Sequence, residues 1–123
     1  MGFNAYARRV RRCDLPFAHR RGALRSCIIR YCYLIQVKPQ ETYLQYVQNF
    51  EISEDSPQAD ELFNQAINAL EKKRNLFLNR LRVFEKRRAK EKMSGRRSPA
   101  KAALATLYDV QSLDAKTNGE NPS

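Results

Sequence analysis

The sequence predicts an all-α protein, and three observations lead to this fold class. Apolar residues recur every three or four positions, no segment alternates cleanly between apolar and polar residues, and the 123 residues include only four glycines. We expect an antiparallel three-helix body with an overlong basic third helix and a short C-terminal helix, because short connections make neighbouring helices antiparallel. A chain of this length corresponds to one domain with tails.

The first two helices of the predicted body lie on either side of Pro39. The first spans residues 20–37 and carries apolar side chains on several faces, so we expect the rest of the body to surround it. Its main apolar stripe consists of Leu24, Cys27, Ile28, Tyr31 and Ile35. Pro39 ends this helix and suits the first turn of the second, which spans residues 40–52. The stripe of the second helix consists of Tyr43, Tyr46, Val47 and Phe50.

The third predicted helix spans residues 57–93, a length of about 55 Å at 1.5 Å per residue. Ser56 is a suitable N-cap, and Asp60 favours a helix start through the helix dipole. We expect one continuous helix, since this range contains no Gly and has Pro only at its first position. Its apolar stripe consists of Phe63, Ala66, Ile67, Leu70, Phe77, Leu81 and Phe84. The residues beyond this stripe still favour a helix, but they offer few apolar side chains that could pack on the rest of the chain. We therefore expect the end of the helix to extend beyond the body.

Composition divides the chain into four predicted segments. Residues 1–19 form a basic N-terminal arm or presequence, residues 20–93 the helical domain, residues 94–113 a basic linker with a short helix, and residues 114–123 a disordered tail. The first 13 residues hold four arginines and no acid, which is the composition of a mitochondrial presequence. The alternative is a basic arm that stays on the protein and lies on RNA.

Positive charge is concentrated near the end of the third helix. Residues 71–101 hold thirteen Lys or Arg against three acids, and the formal net charge of the chain is +10. The i, i+4 ion pairs of an ordinary solvated helix are therefore largely missing, and a polyanion would relieve the repulsion. We predict that this segment binds RNA. The alternatives are that it is a solvated stretch of charge or a nuclear-import signal, or that it binds an acidic protein. The predicted RNA-binding residues are Arg8, Arg9, Arg11, Arg12, Arg80, Lys86, Arg87, Arg88, Lys90, Lys92, Arg96 and Arg97.

The sequence contains no pattern typical of an enzyme. His19 is the only histidine, and there is no Gly-rich phosphate loop, no paired inward carboxylates and no nucleophile elbow. We expect a non-catalytic protein without a cofactor. No apolar run reaches the roughly 18 residues that a membrane span requires, so we also expect no membrane span.

Three cysteines and the histidine raise the question of a zinc site. Cys13, His19, Cys27 and Cys32 have the spacing C-x5-H-x7-C-x4-C, whereas zinc sites usually use tighter pairs. Two helical residues five positions apart point about 140° away from each other, so Cys27 and Cys32 do not face one metal. We interpret the cysteines as small core residues and predict no metal site.

Residues 26–34 read SCIIRYCYL and resemble the motif of the LYR family of small mitochondrial helical proteins. Ile28, Ile29 and Arg30 stand where that motif has Leu, Tyr and Arg. The similarity covers about residues 20–81. It implies a mitochondrial matrix adaptor with an antiparallel three-helix body that binds acyl carrier protein or serves assembly of respiratory complexes, iron–sulfur proteins or ribosomes. Arg30 is the motif residue that carries over, as a contact to the partner.

The leading functional prediction is a non-catalytic structural component of an RNA–protein assembly. A mitochondrial ribosomal subunit in the matrix, contacting rRNA phosphates and neighbouring proteins, is the specific form of this prediction. The first alternative is an LYR-like mitochondrial adaptor or assembly factor that holds proteins. The second is a small double-stranded-RNA-binding protein of the nucleus or cytoplasm.

Arg30 separates the two leading functions. In an LYR-like adaptor, Arg30→Ala should abolish binding of acyl carrier protein or another assembly partner and leave RNA association intact. The measurement is a comparison of the proteins and RNA that co-purify with the wild type and with the variant. An unchanged set of partner proteins would remove the adaptor.

Overall fold

The computed structural model describes the backbone of residues 2–93 and 107–108, and the side chains of residues 2–90 and 107–108. These residues form a helical bundle with no strand among them, so the all-α fold class is confirmed. The helices are α1 (Phe3–Arg11), α2 (Phe17–Ile35), α3 (Pro39–Asn49) and α4 (Ala59–Met93). None of these helices is long and apolar enough to cross a membrane.

The three predicted helices correspond to α2, α3 and α4. Helix α2 ends where Gln36 adopts the left-handed conformation (φ 61°) and donates its backbone N–H to the carbonyls of Cys32 and Tyr33. Pro39 occupies the first turn of α3, as predicted. Helix α4 is the overlong third helix and runs without interruption, which confirms the prediction of one continuous element. The antiparallel arrangement of all three helices stays a prediction.

Helix α1 differs from the predicted basic arm over residues 1–19. Phe3, Ala7 and Val10 lie at positions i, i+4 and i+7 of α1, and all three are buried. The Cys27 thiol donates a 3.6 Å hydrogen bond to the Phe3 carbonyl, and Arg20 donates to the Val10 carbonyl. Helices α1 and α2 therefore run in opposite directions. The arm is part of the folded body because its few apolar residues share one helical face.

The chain divides into two compact units, Met1–Glu71 and Lys72–Ser123. The first unit holds α1, α2, α3 and the beginning of α4, so the unit boundary falls inside the domain predicted over residues 20–93. The largest buried side chains of the first unit are Val10, Leu24, Cys27, Ile28, Cys32, Phe63, Ile67 and Leu70. These side chains come from α1, α2 and α4, so the core of this unit requires all three helices.

The second unit holds the remainder of α4. Phe77 is buried, and its ring centroid lies 5.9 Å from that of Tyr108. Leu107 is also buried, and its carbonyl accepts a 3.4 Å hydrogen bond from Arg80. Apart from Leu107 and Tyr108, the predicted linker and short helix (residues 94–113) and the predicted tail lie outside the described residues.

A buried arginine joins three helices of the first unit. Arg20 is only 3% exposed, and its Nε donates a 2.8 Å hydrogen bond to the Val10 carbonyl at the end of α1. Its Nη1 donates to the Asp60 carboxylate at the start of α4, and its guanidinium lies 4.7 Å from the centre of the Phe63 ring. A buried charge is tolerated only when it is paired and hydrogen-bonded. These contacts satisfy Nε and Nη1, whereas the buried Nη2 has no hydrogen-bond partner among the described residues.

A second set of contacts fastens α1 to α4. Arg11 donates to Glu71 Oε1 and to Asn68 Oδ1, each at 2.6 Å. The hydrogen bond from Arg11 to Glu71 raises the pKa of the Arg11 guanidinium above its ordinary value. The ring centroids of Phe17 and Phe63 lie 5.2 Å apart, which adds an aromatic contact between α2 and α4.

Replacing Arg20 with Met should destabilise the first unit. The variant loses the hydrogen bonds to Val10 and Asp60, and bonds to a charged group contribute about 2 kcal/mol each. We expect a clear fall in the free energy of unfolding measured by urea denaturation. Arg21→Met is the matched control, because Arg21 is exposed and its loss should change stability by less than about 0.5 kcal/mol. Equal stability of the two variants would contradict the joining role of Arg20.

Candidate nucleic-acid interface

The most strongly basic described surface is the segment of α4 from residue 80 to residue 90, called here the α4 basic segment. It contains six Lys or Arg and a single acid, Glu85. Five of the six bases are exposed, namely Arg82, Lys86, Arg87, Arg88 and Lys90. Arg80 is half-buried and donates to the Leu107 carbonyl. The segment follows Phe77, the last buried residue of α4 among those described, so its charges lie on a surface and not in a core.

Helical spacing places like charges next to one another in the α4 basic segment. Arg82, Lys86 and Lys90 are successive i, i+4 neighbours on one face, and such like-charge pairs destabilise an isolated helix by a few tenths of a kcal/mol each. Glu85 is the one carboxylate within the segment that can offset this repulsion. The helix persists because strong helix formers fill these positions. A polyanion on this face would convert the repulsion into attraction.

The N-terminal arginines predicted to bind RNA have different roles in the structure. Arg8 and Arg9 are exposed on α1. Arg11 instead pairs with Glu71 and contributes to the packing of α1 on α4. Arg12 is exposed and pairs with Asp14 at 2.6 Å, and these hydrogen bonds lower the pKa of the Asp14 carboxyl. The side chain of Lys92, together with Arg96 and Arg97, lies outside the described residues.

A groove of about 670 Å³ lies between α1 and α2, and is called here the α1–α2 groove. Both helices belong to the first unit. Its polar and aromatic lining comes from Tyr6, Arg9, Arg12, His19 and Ser26. The remaining lining residues are small or apolar: Leu15, Ala18, Gly22 and Ala23. The groove is therefore lined by positively charged and aromatic side chains together with several small side chains.

Tyr6 on the wall of this groove contacts two arginines. The guanidinium carbon of Arg30 lies 4.5 Å from the Tyr6 ring centroid, and that of Arg9 lies 5.7 Å away. Arg30 is half-buried and also donates a 3.3 Å hydrogen bond to the Ser26 carbonyl. The arginine that the LYR resemblance assigns to a partner thus packs against α1 of its own chain. Its Tyr6 contact was not predicted, since residues 1–19 were interpreted as an arm.

Two exposed arginines of α2 also lie over aromatic rings. Neither was among the residues predicted from the sequence to bind a partner. Arg21 lies 5.9 Å from the Phe17 ring centroid, and Arg25 lies 5.9 Å from that of Tyr43. Phe17 and Arg21 are i, i+4 neighbours, a spacing that would have indicated the first contact. Arg25 and Tyr43 belong to different helices, so no local signal was present for the second.

A second concave surface of about 820 Å³ lies between α2 and the start of α3. Arg25 and Lys38 line it together with the apolar side chains of Ile29 and Leu44. Leu44 is 51% exposed, and Tyr33, one helical turn beyond Ile29, is 71% exposed. Glu41 also lines this surface, so it combines an exposed apolar side chain with charges of both signs. Exposed apolar area of this kind occurs where proteins meet partners.

The four residues considered for zinc do not come together. Cys27 and Cys32 are buried and Cys13 is exposed, and no group of three or more metal-binding side chains occurs among the described residues. His19 lines the α1–α2 groove instead. Burial raises the pKa of the Cys32 thiol, while a hydrogen bond with Thr42 acts in the opposite direction. The two helical cysteines therefore lie where small core residues were predicted.

Comparison of the chain with models of protein families, with curated proteins and with solved structures gave no match. The LYR resemblance therefore stays a prediction, and the functional argument depends on the chain's own geometry and charge.

The three thiols should differ strongly in reactivity. The thiolate is the reactive form, so burial slows labelling of Cys27 and Cys32 both by limiting access and, for Cys32, by raising the thiol pKa. We expect one rapidly labelled thiol in the native protein and three in denaturant, counted by mass spectrometry after alkylation. Cys13→Ser should remove the rapid reaction and leave the fold intact by circular dichroism. Protection of Cys13 by added zinc would indicate a metal site after all.

Proposed function

We propose that this protein is a non-catalytic structural component of an RNA–protein assembly, and that the α4 basic segment contacts RNA phosphates. The observation that carries this proposal is the exposure of five Lys or Arg beyond the last described buried residue of α4, with one acid among them. Phosphates are the ligands best matched to a closely spaced row of cations, since each contact releases a counterion.

The character of the segment favours recognition of the RNA backbone over recognition of bases. Its exposed polar side chains are almost all Lys and Arg, which position a protein on phosphates without reading sequence. Duplex RNA is recognised largely by shape and through its phosphates and 2′-hydroxyls, because its deep major groove excludes side chains. The proposed role is therefore to neutralise phosphate charge and to stabilise folded RNA within a particle.

The same charge also suits an acidic protein or a nuclear-import receptor. The like-charge i, i+4 spacing on one face favours a continuous polyanion, since each side chain can reach a neighbouring phosphate of one backbone. The mitochondrial ribosome is the assembly proposed from the sequence, because the N-terminal residues are rich in Arg and poor in acids. In the adaptor alternative, Arg30 would have to exchange its Tyr6 contact for an acidic partner.

Neighbouring proteins of the assembly are the second proposed class of partner. The surface between α2 and α3 supports this part of the proposal, since Leu44 exposes apolar area that an isolated protein would leave in water. Arg25, Lys38 and Glu41 on the same surface favour a neighbour that carries charges of both signs at its rim.

Removing charge from the α4 basic segment should weaken RNA binding selectively. In the variant Lys86→Gln, Arg88→Gln and Lys90→Gln, three helix-compatible replacements eliminate three cations. We expect normal circular dichroism and a salt slope of log K smaller by about 2 to 3, since each phosphate contact contributes about 0.7–0.9. Fluorescence anisotropy with a labelled RNA duplex at several salt concentrations measures both.

The matched control carries Arg21→Gln, Arg25→Gln and Lys38→Gln, which removes the same net charge from other exposed positions. It should retain most of the affinity and of the salt slope. Equal losses in both variants would mean that net charge alone attracts RNA. In cells, the wild type should co-sediment with ribonucleoprotein particles and be released by nuclease, and sedimentation that nuclease leaves unchanged would indicate a protein partner instead.

A further inference from the structure

We propose that the α1–α2 groove is a second RNA site, which accepts an unpaired nucleotide. The inference extends the proposed function and rests on it, because the ligand is again RNA. Its residues are separate from that segment: the groove is built entirely from α1, α2 and the turn between them.

The charges at the groove favour an anion. Arg9, Arg12 and His19 line it, and none of its lining residues is acidic. The nearest acid with a known contact is Asp14, which pairs with Arg12. Both members of this pair are more than half exposed, and exposed ion pairs contribute little stability, so Arg12 can exchange Asp14 for a phosphate. A phosphate bound between Arg9 and Arg12 would meet two guanidinium groups that form bidentate contacts.

The size and the planar side chains favour a single nucleotide over a duplex. A volume of about 670 Å³ falls in the usual range of small-ligand sites, and an RNA helix is too wide to enter it. Unpaired bases bind by stacking on aromatic rings and on arginine planes. Arg9 and His19 offer such planes, whereas the Tyr6 ring already contacts Arg30 and Arg9. The Ser26 hydroxyl can donate to or accept from a base or a ribose.

Gly22 allows the groove to be filled by substitution. It is exposed in the interior of α2 and lines the groove, and a Cβ added at this position would meet nothing within 4 Å. A methyl group is therefore accommodated there, whereas a larger side chain would occupy part of the groove.

The test compares two labelled RNAs, a blunt duplex and a single-stranded oligouridine of five nucleotides. Gly22→Leu fills the groove and should weaken binding of the oligouridine about tenfold, the contribution of one stacked base, while leaving affinity for the blunt duplex unchanged. Gly22→Ala is the matched control, since its methyl group leaves the groove open and should preserve binding of the oligouridine.

A second readout locates the oligouridine directly. Photocrosslinking with 4-thiouridine in the oligouridine should modify residues of α1 and α2 that line the groove, and Gly22→Leu should suppress these crosslinks. If Gly22→Leu folds poorly by thermal melting, the double variant Arg9→Gln and His19→Gln replaces it with the same expectation.

The outcomes separate the two proposals. Absence of oligouridine binding by the wild type, with the blunt duplex still bound through the α4 basic segment, would overturn the groove site and leave the proposed function intact. A stable Gly22→Leu protein that binds the oligouridine as tightly as the wild type, or crosslinks confined to residues outside the groove, would also overturn the groove site. Absence of binding to either RNA would overturn both.

Discussion

The fold of the first unit depends on one buried cation. Arg20 is only 3% exposed. It contacts the Val10 carbonyl at the end of α1, and it contacts Asp60 and the ring of Phe63 at the start of α4. A guanidinium in this position is tolerated only if several elements converge on it, because an unpaired buried charge is costly. The requirement therefore selects the arrangement in which α1 and α4 both meet the N-terminal part of α2.

That constraint divides the arginines of the protein into two groups. Arg11, Arg20 and Arg30 contact groups of the body and help to hold α1 in place. Arg8 and Arg9 of α1 remain exposed, as do five of the six bases of the α4 basic segment. A high content of arginine thus serves packing and surface charge together, and net charge alone overstates the number of cations that a polyanion can reach.

The two proposed RNA contacts use different physical effects. On α4, a row of cations with little counter-charge interacts through salt-dependent electrostatics. In the α1–α2 groove, fewer cations stand beside planar side chains, so the gain comes from stacking and from shape. A protein with both surfaces can bind duplex backbone and an unpaired nucleotide, a combination suited to irregular, folded RNA.

Periodicity and helix formers in the sequence determined the all-α class, the ends of α2 and α3 to within a few residues, and the continuous α4, because these depend on local spacing and backbone propensity. Charge counting also located the basic end of α4.

Tertiary structure decided the rest. Three apolar residues placed α1 on α2, although its arginines made it resemble a solvated arm. Arg20 is buried while its neighbours His19 and Arg21 are exposed. Helical spacing places Arg20 on the apolar face of α2, four residues before Leu24. The partners that allow a charge to be buried there, Val10, Asp60 and Phe63, are distant in sequence and meet Arg20 only in the folded chain.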